Sequence, residues 1–308
     1  MEQKMNIRFK ITDVLYLIGV VLPFVFCMVL KILTNTPSEG INITGAMIYF
    51  TIPMPLQNLL ITEAQINSWA VIISIFFLCL YFTHGLSVKA KLKRQIIAEW
   101  IVEKTQNLVN TNMGDYFKGY APFIAAIMGI SAFSSLMALL GLYAPTSDIN
   151  IVGGWAILTF ALITYYKLKG GLGNYLKGFT EPIFVMLPLN ILGEVATPVS
   201  MAFRHYGNVL SGSVIAVLIA AALQGLSNLV FGWLPGFLGD IPFLQVGIPA
   251  VLSVYFDIFS GCMQAYIFAM LTMLNISGGF PQDEYEKRLL EWTICEIAIF
   301  GTSRGWYF

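Results

Sequence analysis

From Pro182 to Leu223 only Glu194, Arg204 and the titratable His205 carry or can carry charge. Read as one helix at 1.5 Å per residue, these ~42 residues reach about 63 Å, twice the roughly 30 Å of bilayer hydrocarbon. Such a helix must tilt strongly or break, and Pro188 and Pro198 each remove a helix hydrogen bond. Ile241–Ile276 meets the same constraint at about 54 Å. The expectation is a pair of long, strongly tilted helices, joined by a Gly/Pro-rich turn around 232–240.

Four further stretches are long and apolar enough to span: Ile11–Leu33, Trp69–Leu86, Tyr120–Tyr143 and the shorter Ile151–Tyr166. The chain is 57% hydrophobic and 11% charged, with mean hydropathy +0.75. That is far from the charge content of soluble domains. An all-α membrane protein of about six helices follows. Net charge is zero, so no basic surface argues for nucleic acid. Cys27, Cys79, Cys262 and Cys295 lie scattered without metal-ligand or redox spacing and read as buried small hydrophobes. The start MEQKMNIRFK precedes an apolar run with no small-residue cleavage site, so Ile11–Leu33 reads as a retained span. Three parts result: 1–66, an additional N-terminal helix and external segment; 67–276, a membrane core; and 277–308, a cytoplasmic or interfacial tail. In that tail a charged run (Asp283 to Arg288) precedes Leu289–Phe300, which is too short to span.

Orientation follows from the short loops. Residues 87–118 hold Lys89, Lys91, Lys93, Arg94, Lys104 and Lys118, and residues 167–178 hold Lys167, Lys169 and Lys177. The stretches 34–66, 144–150 and 224–240 hold no lysine or arginine, so the lysine-rich loops are expected to be cytoplasmic, with both termini. Lys31, near the outer end of the first span, dissents from this pattern.

Recognisable bond-breaking chemistry is absent from the sequence: no Walker loop, zinc signature, Ser/His/Asp grouping or paired-carboxylate site. Gly170-Gly-Leu-Gly173 follows a span and reads as a turn. No metal or cofactor is expected. What the apolar helices do carry is two polar stripes, since residues four apart share a face. On the first, Ser200, Arg204 and Asn208 align, with Gly207 and Ser211 beside them. On the second, Ser253, Asp257, Gly261 and Gln264 align. Small and polar residues commonly glue membrane helices together. Arg204 and Asp257 ask for more than glue, because a charge in hydrocarbon costs several kcal/mol and marks a function by default. Opposite charges at small-residue faces suit an ion or proton pathway.

Pro198-Val-Ser-Met-Ala-Phe-Arg-His-Tyr-Gly-Asn208 resembles the signature P-[LIV]-S-L-x-x-R-L-F-G-N of subunit a of the F-type ATP synthases. Four further stretches resemble that family in the same order. They are Gln95-Ile-Ile-Ala-Glu-Trp-Ile-Val-Glu103, Ala144-Pro-Thr-Ser-Asp-Ile-Asn150, Pro188-Leu-Asn190 and Gln264-Ala-Tyr-Ile-Phe-Ala-Met-Leu-Thr272. The resemblance implies that Arg204 is the stator arginine facing the carboxylate of a rotating c-ring. It implies that Asn208 and Gln264 flank that contact, with the two long helices packed against the ring. His205-Tyr206 departs from the usual leucine-phenylalanine. Asp257 stands where some bacterial members have histidine, and Ser213 where they have glutamate. Asp257 and Glu194 are therefore candidates for the inlet half-channel, with Ser200 and Ser213 along the ion route.

The resemblance further implies a bacterial inner (plasma) membrane location. Its implied partners are a c-ring, peripheral-stalk b subunits, lipid, and H⁺ or Na⁺ as the transported ion. A self-contained secondary transporter with an intramembrane Arg/Asp site is the alternative; it predicts internal repeats, which the sequence does not display.

Overall fold

The computed structural model describes residues 11–34, 45–55, 57–86, 93–169, 171–180, 183–231 and 247–279, together with Glu286 and Leu290. The expected turn at 232–240, the side chain of Ser253 and nearly all of the tail after Gly279 lie outside the described residues. Among the described residues, six helical segments are long and apolar enough to cross a membrane. The chain is an all-α, multi-pass membrane protein.

Helices α1 (Ile11–Thr34) and α2 (Glu63–Thr83) lie side by side along their lengths. Their approach is close enough that a Cβ on Gly19 would fall 2.6 Å from the Phe77 ring, and Ser74 donates to the Val20 carbonyl at 2.9 Å. Small residues allow such proximity where apolar burial supplies no drive between helices in lipid. An ion pair ties each end of α1. At one end Arg94 bonds Asp13 and donates to the His84 carbonyl at 2.6 Å. At the other, Lys31 pairs with Glu63 at 3.1 Å and donates to the Gly141 carbonyl at 2.7 Å. Lys31, which dissented from the loop pattern, is thus held by a carboxylate that is only 3% exposed.

α3 (Lys93–Met113) and a 3₁₀ turn (Asp115–Tyr120) lead into α4 (Ala121–Leu139). Gly141 ends α4 at φ +71, where Leu142 N–H bonds the Met137 carbonyl at 3.1 Å; only glycine adopts that left-handed cap freely. α5 (Ile149–Lys169) starts on an aspartate cap, with Asn150 N–H donating to Asp148 Oδ1 at 2.9 Å. After the short α6 (Leu172–Thr180) comes α7 (Leu187–Phe231), 45 residues without a break despite Pro198. At 1.5 Å per residue it is about 67 Å long, so only a strong tilt keeps it within a bilayer.

The last segment differs from the expected single long helix. α8 (Ile248–Ser253) passes into a π-helical stretch, Val254–Ser260, and then into α9 (Gly261–Gly279). The main core joins α3, α4, α5 and α9 through Val109, Phe117, Ile124, Tyr166, Met273 and Ile276. Two strands, β1 (Ile48–Ile52) and β2 (Leu59–Thr62), pair as an antiparallel hairpin immediately before α2, a feature the sequence reading lacked. Much of the 87–118 loop is helical as α3. The cysteines also need correcting. Cys27 is buried, but Cys79 and Cys262 are exposed, because helices that face lipid carry apolar side chains outward as well as inward.

Candidate functional site

α7 has two distinct faces. Pro198, Met201, Ala202, His205 and Gly212 are buried against the bundle. The expected stripe of Ser200, Arg204, Asn208 and Ser211 lies on the uncovered side, all four exposed, as is Ser213. Spacings of three and four put each set on one side of a helix. Arg204 therefore points away from the bundle, and among the described residues it has no ion-pair partner.

His205, next in sequence, turns the opposite way. It is 1% exposed, its Nε2 lies 3.3 Å from Ser131 Oγ, and its ring meets Phe268 and Trp155 edge-on at 5.6 and 5.9 Å. The departure from leucine thus fills an inward position between α4, α5 and α9. One turn beyond Arg204, the Asn208 amide donates to Gln264 Oε1 at 2.7 Å. The two residues expected to flank the arginine are in direct contact.

Asp257 is half-buried within the π stretch and has no ion-pair partner among the described residues. Neighbouring Phe256 packs on Gly212 of α7, where an added Cβ would sit 3.3 Å away. Gly261 packs on Ser135 of α4. A π turn bonds i to i+5 instead of i to i+4 and so changes the helical register. The α-helical spacing that aligned Asp257 with Gln264 consequently does not hold across residues 254–260. π turns recur at functional sites.

Glu194 stands elsewhere. Lys167, in the last turns of α5, donates to both its oxygens at 2.8 and 2.6 Å. The pair borders a cavity of about 690 Å³ lined by α5, α6, α7 and α9, whose polar wall includes Tyr175, Asn190, Thr197 and Asn275. Burial and the nearby Glu194 carboxylate hold the Tyr175 phenol above its ordinary value. Asn275 also reaches the Met201 sulfur at 3.5 Å, on the buried face just below Arg204. Gly279 packs on Ile163 and Lys167, so this cavity lies at the lysine-rich end of the bundle, with Asp257 far along the same chain toward the other end. Sequence reasoning used Lys167 only as an orientation marker and missed Tyr175 and Asn275 altogether. Neither carries a spacing signal that would reveal a cavity.

Other stretches that carried the resemblance serve local structure. Gln95 donates to Glu99 Oε1 at 2.8 Å, and Asn190 donates to the Phe179 carbonyl at 2.9 Å. No group of three His, Cys, Asp or Glu close enough to hold a metal occurs among the described residues.

This combination defines a polytopic helical membrane protein with one long helix presenting an arginine outward from its interior turns. The sequence profile of the ATP synthase A chain family matches residues 65–277. The chain is 32% identical over 222 residues to ATP synthase subunit a of Macrococcus caseolyticus (strain JCSC5402), covering 68% of this chain and 86% of that one. It is 27% identical over 242 residues to the sodium ion specific ATP synthase subunit a of Propionigenium modestum, covering 73% and 76%. It is 25% identical over 230 residues to ATP synthase subunit a of Legionella pneumophila (strain Paris), covering 74% and 90%. The chain belongs to the ATP synthase A chain family. The match begins inside α2, so α1 and the hairpin lie outside it.

Proposed function

We propose that this chain is the ion-translocating stator subunit of a rotary ATP synthase in a bacterial plasma membrane. In this reading Arg204 faces the carboxylate of a c-ring, and the uncovered side of α7 is the ring-facing surface. The observation that carries it is the outward placement of Arg204 on that face, without an ion-pair partner among the described residues, backed by the Asn208–Gln264 contact.

A cation-loaded or protonated ring carboxylate is neutral and tolerates lipid; an ionised one does not. Arg204 attracts the ionised form and, because guanidinium stays charged, bars direct ion passage between the two sides. Two offset half-channels would meet there. Glu194, Asn190, Thr197 and Asn275 suit the cytoplasmic one, since they border the cavity at the lysine-rich end. Asp257 suits the external one, with Ser213 on the neighbouring stretch of α7. Glu194 thereby moves from the inlet to the opposite channel. Ser200, one turn from Arg204, lies on the ring-facing surface. Peripheral-stalk b subunits complete the stator.

The deciding experiment measures ion flux and ATP synthesis in vesicles holding the assembled complex with Arg204→Ala or Arg204→Lys. Both substitutions should abolish coupled synthesis while the complex still assembles. Lysine fails because its charge is lost more readily on burial and its geometry differs. Wild-type coupling in Arg204→Ala would defeat the proposal.

A further inference from the structure

Much of the hairpin β1–β2 is left uncovered by the chain itself, most fully on one side. Strand side chains alternate between faces, and residues directly opposite across an antiparallel pair share one. Phe50 pairs with Ile61 and Ile52 with Leu59, so these four stand on the same side, Ile48 being separated from Phe50 by a register irregularity. Ile48, Phe50, Ile52 and Leu59 are 54, 61, 43 and 45% exposed, and Met54 beyond the strand is 49% exposed. From Gly45 to Thr62 the sequence has no Asp, Glu, Lys or Arg.

The opposite side meets the helices around Tyr49, while Thr51 and Leu60 nearer the turn are exposed as well. Tyr49 is half-buried and shares a hydrogen bond with the Thr34 side chain at the end of α1; burial and nearby Glu63 raise its phenol above the ordinary value. Glu63 N–H, at the start of α2, donates to the Met47 carbonyl at 2.7 Å. The hairpin is thus rooted, without a linker on its β2 side, on the ends of two membrane-spanning helices. Trp69, 49% exposed in the second turn of α2, marks the same level, where aromatic rings gather at the membrane–water boundary.

We propose that this hairpin is an interfacial membrane anchor whose Phe50/Ile52/Leu59 face lies in the headgroup–acyl boundary of the adjoining leaflet. Three constraints select that occupant. Contiguous exposed apolar side chains mark partner or membrane surfaces, so the Phe50/Ile52/Leu59 face calls for cover. The open edges of both strands forbid the hydrocarbon core, where unsatisfied backbone groups cost several kcal/mol each. The shallow boundary satisfies both, as it does for amphipathic segments lying flat on a bilayer. The face also bears no charge with which to recruit a polar partner. Held there, the hairpin would fix the depth of the α1–α2 pair and the Lys31–Glu63 contact beneath it.

The test is collision accessibility of a nitroxide in the full complex. Cys27, Cys79, Cys262 and Cys295 are replaced by alanine, and Phe50→Cys, Ile52→Cys, Leu59→Cys and the aqueous control Lys118→Cys are labelled singly. The complex is reconstituted into phosphatidylcholine/phosphatidylglycerol vesicles. Lipid contact predicts an oxygen-to-nickel-chelate accessibility ratio several-fold higher at position 50 than at position 118. Ratios equal to the control would show a water-exposed hairpin and overturn the proposal. Low accessibility to both reagents would show that another subunit covers the face, and overturn it equally. Should Phe50→Cys not assemble, Leu59→Cys reports on the same face from the other strand.

Discussion

Asn208 donates to Gln264 across 2.7 Å, yet the two sit in different surroundings: Gln264 is 2% exposed and Asn208 lies on the open face of α7. A buried polar group stripped of its partner loses about 1–3 kcal/mol. Asn208→Leu should therefore destabilise by roughly that amount, because Gln264 is left enclosed and unpaired. The double substitution Asn208→Leu/Gln264→Leu should be the more stable of the two. Thermal inactivation of the purified complex reads the difference; equal loss in both would show that the bond does not carry the contact.

The Lys31–Glu63 pair makes a similar asymmetric prediction. Lys31→Met leaves a carboxylate that is only 3% exposed, whose remaining hydrogen bond among the described residues is from the Tyr143 N–H at 3.2 Å. Removing one partner of a fully buried pair costs about 3–5 kcal/mol, and the Lys31 side chain, 31% exposed, brings this below that range. Lys31→Met/Glu63→Met should recover most of the loss. Detergent-solubilised yield and unfolding temperature measure it, and a double mutant no better than Lys31→Met would refute the pairing.

That pair also shows where the sequence stopped being readable. Spans are legible because hydrocarbon demands long apolar runs, so six helices and the outward stripe of Ser200, Arg204 and Asn208 follow from length and spacing. Lys31 looked anomalous because its counter-charge, Glu63, is on another helix, and cross-helix pairing leaves no local pattern. The same holds for Lys167 and Glu194, whose pairing joins α5 to α7 and leaves no mark in either segment alone. The hairpin was hidden because Ile48–Thr62 is apolar on both faces and lacks a period of two. The π stretch was hidden because no residue type marks it; only the packing of Phe256 and Gly261 on Gly212 and Ser135 is visible, and that is cross-helix.

Lys167 and Glu194 supply the third prediction. Lys167 donates to both carboxylate oxygens, so reversal of either charge alone places two like charges beside the cavity. Lys167→Glu should strongly reduce ATP-driven ion pumping in inverted vesicles, and Glu194→Lys likewise. Exchanging the two, Lys167→Glu/Glu194→Lys, restores the attraction and should recover a clear part of the rate. If the exchanged pair is as poor as the single variants, the contribution of these residues is not their mutual contact.

Gly261 carries the last prediction. It opens α9 where the π stretch ends, and a Cβ placed there would come 2.1 Å from Ser135 Oγ and 2.6 Å from Ser135 Cβ. Ser135 is 4% exposed and its hydroxyl donates to the Ser131 carbonyl at 3.2 Å, so the side chain has little room to swing aside. Helices that approach this closely in a membrane depend on small residues at the crossing. Gly261→Ala should then separate α4 from α9 and cost about 1–3 kcal/mol, the usual range for overpacking. Separation at this crossing would also shift the π turns that hold Asp257, so coupled ATP synthesis should fall along with stability. Ser135→Gly removes both clashing atoms and should rescue Gly261→Ala on both measures. The comparison is a double-mutant cycle on unfolding temperature and synthesis rate. Strict additivity of the two substitutions would mean that the Gly261–Ser135 contact does not set the spacing of these helices.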